Sequence, residues 1–121
     1  MATGLENLKI YKLAVRLEIF IYKVLEKFPP EEKYRSVDQI KRSSSSVPNN
    51  IAESYGKYSY KIKIHNLYIA RGEAEETRSG IKRAYQKGFI SENMCDFILE
   101  KYTELIKGIN GYIKHLRIKD E

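Results

Sequence analysis

Apolar residues recur every three or four positions along most of the chain, and no long stretch shows the period of two that is typical of a strand. The first such stripe runs from Ile10 to Val24 and predicts a helix over residues 7–28, stopped by Pro29 and Pro30. Its apolar arc is about twice that of a simple surface helix and wider than a single bundle core requires. The excess predicts contact with another subunit.

Residues 43–53 have the composition of a loop, with four serines, one proline and two asparagines. The apolar phase nevertheless continues through them without a slip. Six positions carry it at spacings of three and four: Val37, Ile40, Ser44, Val47, Ile51 and Ser54. We therefore expect one helix that is bent at Pro48, since proline removes a helical hydrogen bond. The alternative is a break capped by Ser46, with Pro48 in the first turn of a new helix.

The remaining boundaries follow from capping residues. The second helix should begin at Glu31 or Glu32 and end at Tyr55, with Gly56 as a left-handed cap. Ser59 should cap a third helix that stops at Gly88, and Ser91 should cap a fourth. Four helices joined by short loops predict an all-α, up-down-up-down four-helix bundle that occupies residues 1–121 as one domain.

The composition gives a moderate positive charge. The 121 residues include 22 Lys and Arg and 16 Asp and Glu, so the net charge is +6. This balance permits a polyanionic partner such as nucleic acid. No apolar run reaches the length of a membrane span, so we expect no membrane partner. The single Cys95 and the absence of a visible secretory signal lead us to expect a cytoplasmic protein.

Polar residues form a second stripe beside the apolar face of the second helix, at spacings of four and three. If these groups are partly buried they must satisfy one another, so we expect an interhelical network, such as one between Glu53 and Arg71, that fixes the bundle register. The alternative is a pocket for a small polar ligand. The predicted network comprises Gln39, Arg42, Ser46, Asn50, Glu53, Arg71 and Glu76.

The strongest nucleic-acid cue is the segment 57–63, which interleaves lysines with tyrosines before the third helix. Lysines neutralise phosphates and tyrosine rings stack on unpaired bases. Further cations follow along the third helix, although ordinary solvated charge is the alternative reading. The predicted interface comprises Lys57, Tyr58, Tyr60, Lys61, Lys63, Arg78, Lys82 and Arg83.

Catalytic and metal-binding arrangements have little support. Neither His65 nor His115 ends a Glu-x-x-His pair, so a di-iron centre is not expected. Cys95 has no partner for a zinc site, and no glycine-rich phosphate loop is present. The acidic cluster at residues 73–76 could hold a divalent cation, although a solvated face is the simpler reading. We expect no enzyme activity, no cofactor and no bound metal.

The runs 46–53 (Ser-Val-Pro-Asn-Asn-Ile-Ala-Glu) and 70–72 (Ala-Arg-Gly), with Glu32, Gln39 and Arg42, stand in a characteristic order and spacing. In these residues the chain resembles the small bacterial four-helix bundle protein family. That family includes proteins encoded in intervening sequences of 23S rRNA genes and is related to accessory proteins of diversity-generating retroelements. The resemblance implies a ring-like homopentamer, suspected binding of nucleic acid or of a nucleic-acid-handling partner, and no established catalysis.

The chain departs from the family pattern at three positions. Ser54 replaces a usual glycine, Glu73 a usual serine and Glu75 a small residue. Three functions remain open at this point: an RNA- or DNA-binding protein, of which RNA is favoured; an adaptor that docks a nucleic-acid enzyme such as a reverse transcriptase; or a purely structural oligomer.

Overall fold

The computed structural model describes residues 4–5 and 8–120, which contain four α-helices and no strand. These helices are α1 (Lys9–Leu25), α2 (Ser36–Tyr55), α3 (Tyr60–Gln86) and α4 (Glu92–Asp120), and a 3-10 turn over Pro30–Glu32 precedes α2. Each helix packs against its neighbours in sequence, and α4 returns to pack against α1. The structure therefore confirms the predicted all-α, four-helix bundle.

Helix α2 runs through Pro48 without interruption, so the predicted single helix is confirmed and the alternative break capped by Ser46 is wrong. Serine hydroxyls just before the proline donate to carbonyls three residues earlier, as Ser44 does to Lys41 at 3.2 Å. Such side-chain bonds within a helix are commonly found where helices bend. The loop-like composition therefore accommodates a proline inside a helix.

The first two helices are shorter than predicted. Helix α1 ends at Leu25 and tighter turns carry the chain to Phe28, whose N–H bonds the Leu25 carbonyl at 3.1 Å. Pro29 and Pro30 have no N–H to donate to the Leu25 and Glu26 carbonyls, so the α-helical hydrogen bonds cannot continue to Phe28. The predicted start at Asn7 lies outside the described residues.

Helix α2 begins at Ser36 and not at Glu31 or Glu32, because Arg35 has φ −119° and ψ −109°, which is not helical. Glu32 instead lies in the 3-10 turn and accepts a hydrogen bond from the Ser36 hydroxyl at 2.7 Å. The acidic residue therefore meets the positive end of the helix dipole from the preceding turn.

Two serine caps are confirmed: Ser59 accepts from the Ile62 N–H at 3.3 Å, and Ser91 accepts from the Met94 N–H at 3.1 Å. Gly88 ends α3 with φ +85°, as a left-handed cap. The same expectation for Gly56 is wrong, since its φ is −80°.

The helices approach one another most closely at two glycines. A Cβ on Gly80 of α3 would lie 2.9 Å from the side chain of Ile40, and one on Gly108 of α4 would lie 2.8 Å from Ile10. The first contact sets the spacing of α2 and α3, and the second sets that of α4 and α1. The α3 face towards the core also carries buried alanines, such as Ala70 and Ala74.

Candidate nucleic-acid interface

The polar stripe of α2 lines an open groove of about 590 Å³ between α2 and α3. Inside the seam, Ser43 and Thr77 lie 2.7 Å apart through their hydroxyl oxygens, and the Thr77 hydroxyl lies 2.9 Å from the Glu73 carbonyl. These bonds link α2 to α3 through Ser43 and Thr77, two residues that the predicted network does not include. The groove lining comprises Gln39, Arg42, Ser43, Ser46, Glu73, Glu76 and Arg83.

The predicted network is only partly brought together. Asn50 bonds Ser46 within α2, its amide nitrogen lying 2.9 Å from the carbonyl and 3.0 Å from the hydroxyl. Arg42 is exposed and pairs with Asp38 one turn earlier on the same helix, at 2.9 Å. Neither contact crosses between helices, so these side chains contribute little to bundle register.

The expected Glu53–Arg71 pair is wrong. Arg71 lies on the α4 side of α3 and donates to the Asn110 side-chain oxygen at 2.7 Å, whereas Glu53 is exposed on α2. Residues 71 and 110 stand on adjacent helices, so this bond links α3 to α4. Residue spacing predicted that Arg71 would face α2, but position 71 lies at the border between the α2 and α4 sides of α3.

A smaller recess of about 240 Å³ continues from the groove towards the start of α2. Its walls carry Arg35, Arg83, Lys87 and Glu32. Hydrogen bonds from the Ser36 hydroxyl lower the pKa of Glu32, with help from the Ser36 N–H and the charges of Lys87 and Arg35. Along the groove, burial and the neighbouring Glu76 raise the pKa of Glu73.

The predicted lysine- and tyrosine-bearing segment divides into exposed and structural residues. Tyr58 is fully exposed, and Lys57 and Lys61 also face solvent. Tyr60 is half-buried against the core. Lys63 donates to the Ser54 and Tyr55 carbonyls at 3.2 and 3.1 Å and so caps the last turn of α2.

The other predicted interface cations lie about 25–35 Å from Tyr60 and Lys61 along α3, at 1.5 Å per residue. Arg78 pairs with Glu75 at 3.2 Å and, with Lys82, lines a recess near α4. Arg83 faces α2 and lines the polar groove. The structure therefore brings neither Arg78 nor Lys82 nor Arg83 together with segment 57–63.

Positive charge is concentrated at one end of the bundle, which we call the basic end. It comprises residues 9–16, 53–72 and 105–120, which contain eleven Lys and Arg and two Asp and Glu. The remaining described residues, 4–5, 8, 17–52 and 73–104, contain eleven Lys and Arg and twelve Asp and Glu. Antiparallel packing produces this separation, since it places the first half of α3 beside the second half of α4.

Sequence reasoning missed the contribution of α4 to the basic end. Its second half carries four cations and no acid from residue 105 to residue 119, and these cations are Lys107, Lys114, Arg117 and Lys119. The absence of acids in this segment and in residues 56–72 was visible in the sequence. Their adjacency follows only from the pairing of α3 with α4.

Two arginines converge on one tyrosine at the basic end. The guanidinium carbon of Arg71 lies 4.7 Å from the centre of the Tyr68 ring, and that of Arg117 lies 5.5 Å from it. Cation–π contacts at such distances are attractive. With Asn110, which holds Arg71, these residues form what we call the Arg–Tyr cluster.

The opposite end carries an apolar groove of about 650 Å³ between α1 and the start of α4. Phe20, Phe89, Ile90 and Met94 line it, and the rings of Phe20 and the exposed Phe97 lie 5.5 Å apart at its side. Ile19 and Tyr22 of α1 are also about half exposed. The wide apolar arc predicted for the first helix is therefore only partly used within one chain.

Across residues 4–5 and 8–120, no three His, Cys, Asp or Glu side chains are grouped so that they could hold a metal ion. In the same part of the chain, none of the helices combines the length and apolarity that crossing a membrane requires.

Comparison with known proteins identifies the family. A crystal structure of a protein of unknown function from the S23 ribosomal protein family of Bacteroides thetaiotaomicron matches with a TM-score of 0.78 and 26% identity, over 87% of this chain and 98% of that one. No curated protein sequence matches. The sequence-family model of the 23S rRNA-intervening sequence proteins matches residues 6–111. The chain belongs to the 23S rRNA-intervening sequence protein family.

Proposed function

We propose that this chain is a non-enzymatic RNA-binding protein that acts in the cytoplasm as a homo-oligomer. The observation that carries the proposal is the separation of charge, since the basic end holds eleven cations against two acids and the rest of the described chain is nearly neutral. A concentrated positive surface attracts a phosphate backbone far more strongly than the same charge spread evenly.

Exposed side chains at the basic end suit unpaired RNA. Lys57 and Lys61 project into solvent on either side of Tyr58, whose ring is fully exposed. Exposed aromatic rings stack on bases that are not paired, which occur mainly in the loops and single strands of RNA. Lys63 and Tyr60 are left out of the proposed contact surface, because one caps α2 and the other packs against the core.

Self-association is the second part of the proposal, and five subunits is the number that the family resemblance implies. The apolar groove and the exposed Ile19 support it, because such surfaces on soluble proteins commonly contact another protein. The groove lies at the opposite end from the basic end, so both can be used at once. An oligomer would repeat the basic end and gain avidity from several weak contacts.

Sedimentation velocity tests both parts together. The chain alone should sediment as an oligomer, and mixed RNA added at low salt should shift it to a faster boundary. The logarithm of the binding constant should fall linearly with the logarithm of salt concentration, by about 0.7 for each phosphate contacted on a single strand. Absent binding at low salt, or binding that salt does not change, would contradict the proposed function.

An adaptor that docks a nucleic-acid enzyme is the second candidate, and the apolar groove favours it because the groove can bind a protein partner. The adaptor predicts a complex with such an enzyme that survives nuclease treatment. If the complex persists while the purified chain binds no RNA, the adaptor is the correct function.

A further inference from the structure

The Arg–Tyr cluster leaves two positive charges without acidic partners. The guanidinium groups of Arg71 and Arg117 lie within about 10 Å of each other, as the sum of their distances to Tyr68 requires. Among the described residues neither makes an ion pair with a carboxylate, and Arg71 bonds only the neutral Asn110 amide. Two like charges on the same tyrosine ring, at most about 10 Å apart and without a carboxylate partner, favour a bound anion.

The nearby acids of α3 face elsewhere. Glu73, which stands where the family usually has serine, lines the groove towards α2. Glu75 is engaged by Arg78 at 3.2 Å. The departures from the family pattern therefore do not neutralise Arg71.

Arg71 is held in place before any ligand arrives. Its Nη1 donates to Asn110 at 2.7 Å while its guanidinium lies near the Tyr68 ring. A guanidinium carries five N–H donors in a rigid plane, so the remaining donors suit two-point binding of phosphate oxygens. Ordering the side chain in advance reduces the entropy that binding would otherwise cost.

Two glycines lie next to this arginine and its partner amide. Gly72 follows Arg71 and Gly111 follows Asn110, both are exposed, and a Cβ on either would meet nothing within 4 Å. Glycine weakens the interior of a helix, and here no contact within the chain explains it. Gly80 and Gly108 differ, because there a neighbouring helix occupies the space.

We propose that Arg71 and Arg117 clamp a backbone phosphate of the bound nucleic acid beside Tyr68, and that the strand passes close to α3 and α4 at Gly72 and Gly111. This inference rests on the proposed RNA binding and gives it a defined subsite. Segment 57–61 binds neighbouring nucleotides at the same end of the bundle. Because Gly72 and Gly111 have no side chains, the nucleic-acid strand can approach the backbones of α3 and α4.

Fluorescence anisotropy with a labelled single-stranded RNA tests the clamp on the full chain. Arg71→Gln and Arg117→Gln should each weaken binding about five- to tenfold at low salt. The two substitutions together should reduce the salt slope by about 0.7, the value for one phosphate. Arg42→Gln removes an exposed arginine from α2, outside the basic end, and should leave the affinity unchanged. Circular dichroism confirms that each variant keeps its helical content.

The glycines give a second and independent measurement. Gly72→Gln and Gly111→Gln place a neutral, helix-favouring side chain in open space, so the melting temperature should stay the same or rise. Binding of the RNA should nevertheless weaken severalfold. A structural role for these glycines would instead lower the melting temperature.

The outcomes separate the two proposals. If wild-type protein binds no RNA, both fail. If Lys57→Glu and Lys61→Glu weaken binding but the arginine and glycine variants bind as wild type, RNA binding stands and the clamp is overturned. If Arg71→Gln lowers binding to phosphatidylserine vesicles and leaves RNA binding unchanged, the cluster recognises a lipid headgroup and the clamp is again overturned.

Discussion

The ammonium group of Lys63 donates to the Ser54 and Tyr55 carbonyls, where the last turn of α2 leaves acceptors without helical donors. A lysine of the predicted RNA-binding segment can thus be structural, whereas Lys61, two residues earlier and exposed, is free to contact a ligand. The sequence shows both as lysines beside tyrosines. Only the fold of the loop at residues 56–59 separates their roles.

Lys63→Ala should lower the free energy of unfolding by about 0.5–1 kcal/mol, because two carbonyls at the end of α2 lose a charged donor that is partly exposed. Lys61→Ala removes the same charge without a cap and should leave stability nearly unchanged. Urea denaturation of the two variants measures the difference. Equal stabilities would show that the cap contributes nothing.

Glu32 predicts a pH dependence. The Ser36 hydroxyl is the main cause that lowers its pKa, so the carboxylate form is more favoured in the folded state than in the unfolded state. The resulting stability is present above the usual carboxyl pKa and is lost as the pH falls through the lowered one. Glu32→Gln should therefore have a lower free energy of unfolding than wild type at pH 7, and this difference should disappear in acid.

Denaturant unfolding at several pH values measures this difference. Glu31→Gln removes a neighbouring exposed carboxylate that caps no helix in the structure. It should show no comparable loss at pH 7. A stability difference for Glu32→Gln that stays constant down to strongly acidic pH would contradict the proposed contribution of the Glu32 carboxylate.

At the scale of elements, apolar spacing predicted all four helices, because each must bury one face against the others. Spacing also carried the prediction of α2 through Pro48, where composition alone indicates a loop. Helix ends were less predictable. At the end of α2, Lys63 from α3 donates to the Ser54 carbonyl. At its start, Glu32 from the preceding turn accepts from Ser36. Both contacts come from neighbouring segments.

Two glycines on α3 test the packing of the helices. Gly80→Ala should cost about 1–3 kcal/mol, because its Cβ would lie 2.9 Å from the Ile40 Cγ1 and force α2 and α3 apart. Gly72→Ala lies on the same helix in open space and should be neutral or stabilising by up to about 1 kcal/mol. Thermal unfolding compares the two, and similar shifts would contradict the close packing at Gly80.

On the scale of the whole molecule, the separated charge is the property that supports the proposed function. The net charge of +6 was readable from composition and its distribution was not. Residues 56–72 and 105–119 are distant in sequence, and only antiparallel packing of α3 and α4 joins them. For the same reason Arg71 was assigned to the wrong helix interface, and Arg117 was not predicted at all.

The most direct test compares two double variants of equal net charge in RNA binding by fluorescence anisotropy. Lys57→Glu/Lys61→Glu changes the basic end, whereas Lys33→Glu/Lys82→Glu changes exposed lysines elsewhere, including one that the sequence predicted for the interface. We predict that the first pair loses at least tenfold in affinity at low salt and that the second stays within about twofold of wild type. Equal losses from both pairs would show that net charge alone governs binding and would contradict the central claim.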